Sequence, residues 1–214
     1  MKKSLRRGGR PSRSASALLG DRILDVATEM FLDLGYGTTS IEQIAKRARV
    51  SKRTFYHRFP DKAALFAAVV RRIIDRLRPP DVAGLYVGAS LEDILARLAQ
   101  AVFQVALNPQ ALALHRVILA ESGRFPELAA IVADRSGGRE AVESISALLQ
   151  RDASHKGLSL DASHFAARQF LQMVVAWPQR RALGMGEPMN PAELQAWARQ
   201  TVNLFLNGCR GWAG

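Results

Sequence analysis

Between Ser51 and Phe59 the sequence SKRTFYHRF sets basic, hydroxyl and imidazole side chains beside two phenylalanines four residues apart. At about 100° per residue, Phe55 and Phe59 share one face of a helix, and Lys52, Arg53, Tyr56 and His57 fan out on the opposite arc. Ammonium and guanidinium groups donate to phosphates and to guanine O6 and N7, whereas Tyr and Thr hydroxyls hold phosphates and fix register. A helix that projects Lys52, Arg53, Thr54 and His57 from its first turns therefore suits the major groove of a nucleic-acid duplex. His57 either reads a base or sits at the groove edge.

Such a helix needs a support, and the residues just before it supply one. In TTSIEQIAKRARV, Ile41, Ile44, Ala45 and Ala48 recur at helical spacing. Thr39 or Ser40 can cap this helix, with Glu42 or Gln43 three positions on. Glu42 reads as a first-turn acid that suits the helix dipole rather than as a reader of cytosine. The turn falls at Ala48 to Val50, and Ser51 offers an oxygen to the free N–H groups of the second helix. Residues 38–59 thus read as two short helices joined by a tight turn, a DNA-reading arrangement. Thr39, Ser40 and Arg49 join Lys52, Arg53, Thr54, Tyr56 and His57 as candidate DNA contacts.

The flanking segments frame that pair. Ile23, Val26, Ala27, Met30, Phe31 and Leu34 form the core stripe of a first helix from about Ala17 to Leu34, which Gly35 ends. Pro60 stops the recognition helix and Asp61 caps a fourth, with Leu65, Val69, Ile73 and Leu77 on one face, running to about Arg78. Pro79-Pro80 and the loop through Gly88 form the expected domain boundary.

The stretch from Arg22 to Val70, carried by ILDVATEMFLDLGYGTTS, IAKRARVSKRTFYHRF and PDKAALF, resembles the N-terminal DNA-binding domain of the tetracycline-repressor (TetR) family. Residues 113–129, ALHRVILAESGRFPELA, resemble a helix pair in a subset of the same family. The resemblance implies a ligand-responsive repressor that binds a palindromic operator as a homodimer, with Lys62 on a phosphate. It also implies a C-terminal cavity for an apolar effector, for which Phe103, Leu107, His115, Ile118, Phe170, Met173 and Trp177 are candidates, although a packed core would look the same in sequence. The wide apolar faces of the last two helices, Phe165 to Leu183 and Leu194 to Phe205, are assigned by the resemblance to a four-helix dimer interface, with Leu194, Ala198, Val202 and Phe205 as contacts. Two departures stand out. The family's usual Ala-Gly-Val turn is Ala48-Arg49-Val50, so Arg49 either tolerates a strained φ or bends differently. Arg53 and Arg58 replace a small and an aromatic residue on the DNA side, which leaves the operator sequence open.

Charge distribution agrees with this layout. Residues 1–60 hold thirteen Lys or Arg against five acids, a balance of +8, and the rest hold 17 against 14, a balance of +3. The positive field sits where phosphate counterions would be displaced. Residues 1–15 carry Lys2, Lys3, Arg6, Arg7, Arg10 and Arg13 with no acid, and read as a disordered basic arm, either groove-contacting or solvated. Beyond residue 79 every segment reads helical: Ser90 to Leu107, Pro109 to about Ser122, Pro126 to about Arg135, Glu140 to about Ser154 after an interruption at Gly137-Gly138, Ser159 to Leu183 with a kink at Pro178, and Pro191 to about Asn207. The expected fold is all-α, with a basic arm (1–15), a helix-turn-helix domain with its connector helix (16–78) and a larger helical bundle (79–214).

Several classes are disfavoured. Cys209 is the single cysteine, so no intramolecular disulfide forms, and it reads as a small apolar residue of the last helix. His57, His115, His155 and His164 show no metal-ligand spacing. No nucleophile elbow or phosphate loop is present, so neither an enzyme nor a cofactor is expected. The longest uncharged run, Leu98 to His115, carries Gln100, Gln104, Asn108, Pro109 and Gln110, a poor membrane span. The apolar part of Ala15 to Leu19 is too short for a signal peptide, so a cytoplasmic location is expected. A non-specific architectural DNA binder and an effector-independent regulator remain the alternatives.

Overall fold

The structure is a computed structural model that describes residues 13–78, 81, 83–87, 90–135, 138–152 and 157–208. The arm up to Ser12, Pro79-Pro80, Gly88, Gly137, His155 and Cys209 lie outside the described residues. Among those described there are ten α-helices, one short 3-10 turn at Ala83–Tyr86 and no strand.

The first four helices are α1 (Arg13–Leu34), α2 (Ile41–Arg47), α3 (Lys52–Tyr56) and α4 (Lys62–Leu77). The first begins four residues before the expected Ala17. Gly35 follows it at φ +90°, a conformation that glycine adopts without strain. Ser40 makes a capping box with Gln43 at the head of α2, Ser51 accepts from the Thr54 N–H at the head of α3, and Asp61 accepts from the Ala64 N–H at the head of α4. Each such cap contributes about 1 kcal/mol. Arg49 resolves the question of its turn by adopting φ +53°. The left-handed conformation costs a non-glycine residue about 1–2 kcal/mol. Its neighbours hold it there, since the Arg49 N–H donates to Lys46 O and the Val50 N–H to Ala45 O.

The remaining helices are α5 (Leu91–Ala106), α6 (Pro109–Glu121), α7 (Pro126–Arg135), α8 (Gly138–Arg151), α9 (Leu160–Ala182) and α10 (Pro191–Asn207). Pro opens α6, α7 and α10 at a position where its missing N–H has no partner to lose. Gly138 belongs to α8 rather than to a break before it. Helix α9 runs through the buried Pro178 to Ala182.

Two hydrophobic cores result. One packs Ile23, Phe31, Tyr36, Ile44, Phe55, Leu65 and Phe66 of the N-terminal helices with Leu114 and Val117 of α6 and Leu128 of α7. The other gathers α5, α8, α9 and α10 around Leu95, Phe103, Ile145, Leu149, Phe170 and Val174. Division of the chain near residue 79 is therefore not a division of cores, because α6 and α7 complete the N-terminal one. Within the second core a buried hydroxyl pair, Ser146 and Ser163 at 2.7 Å, ties α8 to α9. The Trp197 indole N–H donates to Val174 O at 3.0 Å and ties α10 to α9.

Candidate nucleic-acid interface

Phe55 is completely buried and Phe59 packs on the same core, which turns the rest of α3 outward. Arg53, Tyr56 and His57 are exposed, Tyr56 at 47% with its ring edge on Phe55. These are the groups free to enter a groove. Lys52 is also exposed, but its ammonium sits 2.9 Å from Glu42. The hydrogen bond from Lys52 is the main reason the Glu42 carboxyl is held below the usual carboxylate range, with a backbone hydrogen bond adding to it. Exposed pairs of this kind contribute little and open readily, so Lys52 can exchange Glu42 for phosphate. The Thr54 hydroxyl lies 2.8 Å from that of Ser51, reinforcing the cap.

One of the expected DNA contacts changes role, and a second also serves as a helix cap. The Thr39 side chain is 1% exposed, and its hydroxyl donates to Met30 O at 3.1 Å and Gly35 O at 2.8 Å. It locks the α1–α2 turn and is withdrawn as a DNA-contacting side chain, because its only donor is spent inside the protein. Ser40 is the residue that caps α2. Its hydroxyl accepts from Gln43 N at 3.2 Å while the Gln43 side chain accepts from Ser40 N at 2.7 Å.

Lys62 begins α4 and folds back toward the protein. Its ammonium lies 4.3 Å from the centre of the Tyr36 ring and 5.9 Å from that of Phe125. Burial pushes its pKa down from the ordinary lysine value, against the attraction of Glu121 and Glu127. Tyr36 belongs to an aromatic cluster with Phe31, Phe66 and Phe125, the last at 5.0 Å between centroids. Burial and the nearby Glu127 raise its hydroxyl to a pKa of about 12. Glu121, the last residue of α6, accepts from the Gly37 N–H at 2.5 Å. A Cβ at Gly37 would lie 2.7 Å from that carboxylate, and one at Gly35 only 2.5 Å from it. The sequence reading missed this junction. Its one local signal is the Gly-Tyr-Gly run, and nothing near Gly37 in the chain points to a carboxylate 84 residues away.

The seven candidate effector residues do not line one cavity. Phe103 and Leu107 border an open depression of about 270 Å³ together with Gln100, Gln104, Asn108, Pro191 and Leu194. Phe170 is fully buried against Phe205, with ring centroids 5.1 Å apart, and Met173 is half-buried on α9. Ile118 packs against the N-terminal core, and Trp177 is 45% exposed under the Arg180 guanidinium, so neither borders that depression. A helix that contacts two cores presents its apolar residues to both, which a single chain's periodicity does not separate. His115 is half-buried on α6, and burial pushes its imidazole pKa down.

Two of the candidate dimer contacts, Ala198 and Val202, are spent within the chain's own bundle, while Leu194 and Phe205 remain partly exposed. Ala198 and Val202 are each 1% exposed within the second core, and Leu194 and Phe205 pack against it. They bind α10 to its own bundle. Outward positions include Ala192, Gln195, Arg199 and Gln200 on α10 and Phe165, Arg168, Gln169, Gln172, Ala176 and Trp177 on α9.

Known proteins share this architecture. Residues 23–69 match the family described as bacterial regulatory proteins, tetR family, and residues 93–208 match the AefR-like transcriptional repressor C-terminal domain. The HTH-type transcriptional regulator UidR of Escherichia coli K12 is 31% identical over 140 residues, 64% of this chain and 66% of UidR, just under two thirds of that relative. RutR of the same organism is 43% identical over 67 residues, 31% of each chain. A TetR-family transcriptional regulator of Mesorhizobium loti superposes with a TM-score of 0.72 at 29% identity, covering 92% of this chain and 98% of its own. The flavonoid-responsive regulator FrrA superposes at 0.70 with 28% identity, covering 89% and 96%. With both halves matched and the helix-turn-helix built as described, the chain belongs to the TetR family of DNA-binding transcriptional regulators.

Proposed function

We propose that the protein is a ligand-responsive repressor that binds a palindromic operator as a homodimer. The observation that carries this reading is the capped α2–α3 pair, whose buried Phe55 leaves Arg53, Tyr56 and His57 outward on one short helix. Arg53 and His57 address base edges in the major groove, while Lys52, Tyr56, Arg49 and Lys62 hold phosphates. A single five-residue helix reads few base pairs, so two copies about one helical turn of DNA apart are needed for a specific site.

The outward face of α9 and α10 is the proposed dimer seam, and it carries Phe165, 59% exposed. A large aromatic left in water beside small, amide and arginine side chains is what a two-fold partner helix would cover. An effector bound in the bundle of α5 to α10 shifts α6 and α7, and with them the spacing of the two recognition helices. Because FrrA is described as flavonoid-responsive, flat aromatic compounds are the first effectors to test. No described helix is long and apolar enough to cross a membrane.

Joint replacement of Arg53→Ala and His57→Ala tests the reading. Specific binding should be lost while sedimentation still reports a dimer; retained operator affinity would sink the assignment of α3 as the reading element.

A further inference from the structure

The junction between the DNA-binding head and the regulatory helices is built around the one basic residue of the first turn of α4. Lys62 stacks its ammonium on Tyr36 and near Phe125, with Glu121 and Glu127 attracting it through space and Arg124 repelling it. Tyr36 comes from the head. Glu121, Arg124, Phe125 and Glu127 all come from the corner between α6 and α7. That corner is anchored on the head by the bond from the Gly37 N–H to Glu121 and by the Tyr36 hydroxyl, which donates to Glu127 at 3.4 Å.

The arrangement is a cage for a cation. The Tyr36 face and the attraction of two carboxylates hold the ammonium at this corner although burial penalises its charge, so a solvent-exposed phosphate can compete for it. An ammonium on a flexible four-carbon stem can serve either partner, but not both at full strength. We propose that Lys62 is exchanged between this cage and an operator phosphate, so that the α6–α7 corner sets operator affinity by how firmly it holds one side chain. The inference rests on the reading that Lys62 contacts operator DNA. It adds that Glu121 and Glu127 act on DNA binding without touching DNA, as positioning residues working through Lys62. Any displacement of α6 or α7 by an effector then changes the competition directly, since both carboxylates flank the same corner.

A double-mutant cycle on the full-length dimer tests this, using an operator recovered from a random DNA pool and fluorescence anisotropy across a salt series. The pair Glu121→Gln and Glu127→Gln removes both charges but keeps an acceptor for the Gly37 N–H and the Tyr36 hydroxyl. It should tighten operator binding roughly five- to tenfold. Lys62→Met should weaken binding and lower the salt slope by about 0.9 for each protomer's lost phosphate contact, and Lys62→Arg should restore the slope. With Lys62→Met in place, the two glutamine substitutions should no longer change affinity.

Equal tightening in the Lys62→Met background would show a general charge effect and overturn the exchange. Unchanged or weaker binding by the glutamine pair, in a protein that remains a dimer with an unaltered melting curve, would overturn it as well. If Lys62→Met leaves the salt slope intact, the phosphate contact is absent and the exchange falls with it, while the regulator reading stands. A wild-type protein that recovers no shared sequence removes the regulator reading itself.

Discussion

The two cores of this protein are built differently. Around the head, Phe31, Tyr36, Phe55 and Phe66 are interlocked with Phe125 at ring separations of 5.0–5.6 Å or seated fully inside. The bundle of α5 and α8 to α10 is mostly aliphatic, with Phe103 and Phe170 its buried rings. Interlocking rings have few alternative packings and hold α2 and α3 at a fixed pose, as a reader of a rigid duplex requires. An aliphatic bundle with an open depression beside it can adjust its helices at lower cost. This contrast suits the proposed division of labour, in which the head reads DNA and the bundle responds to an effector.

The largest test of that contrast is Phe66→Ala. It should cost about 3–5 kcal/mol, because a buried ring is replaced by a cavity. Urea unfolding followed by helix content and by tryptophan fluorescence in a Trp212→Phe background, which leaves Trp177 and Trp197 of the bundle as emitters, would report whether the loss spreads. A single shared transition is expected because α6 and α7 belong to the head's core; a bundle signal that stays at its original midpoint would separate the two regions. Ser51→Ala should cost about 1 kcal/mol by removing the α3 cap, and should weaken operator binding more than stability alone explains. Arg49→Gly should stabilise the fold by up to about 1 kcal/mol by relieving the positive φ, while reducing the salt slope of DNA binding if Arg49 touches phosphate. Calorimetry and a salt titration separate those two effects.

The smallest expected effect is at His115. Its folded pKa lies below the ordinary value, so the unfolded chain binds the extra proton first. Stability from this group is complete above the usual imidazole pKa of about 6.5 and is lost as pH falls through the folded value. His115→Gln should flatten that part of the stability curve, measured by urea midpoints between pH 7 and 5; an unchanged slope would assign it elsewhere.

Features set by neighbours in the chain were legible in the sequence. The caps at Ser40, Ser51, Asp61 and Ser90, and the prolines that open α6, α7 and α10, act within a few residues of themselves, and the observed helices follow them closely. So did the outward arc of α3, because Phe55 and Phe59 leave one choice of buried face. Thr39 was misread because two adjacent hydroxyls could cap α2, and only the distant Met30 carbonyl decides which turns inward. Ala198 and Val202 were misread because an apolar stripe shows which face is covered, without showing whether the cover is the same chain or another. The Glu121 junction was invisible for the same reason, since its partners meet only after the whole chain has folded.

The central claim is that this chain recognises DNA by sequence, with two copies of α3. Selection of bound sequences from a random duplex pool at near-physiological salt tests it most directly. The expected result is an inverted repeat whose half-sites lie about one helical turn apart. Recovery of no shared sequence, with binding that only tracks salt, would contradict it and leave a non-specific DNA-binding protein on the same fold.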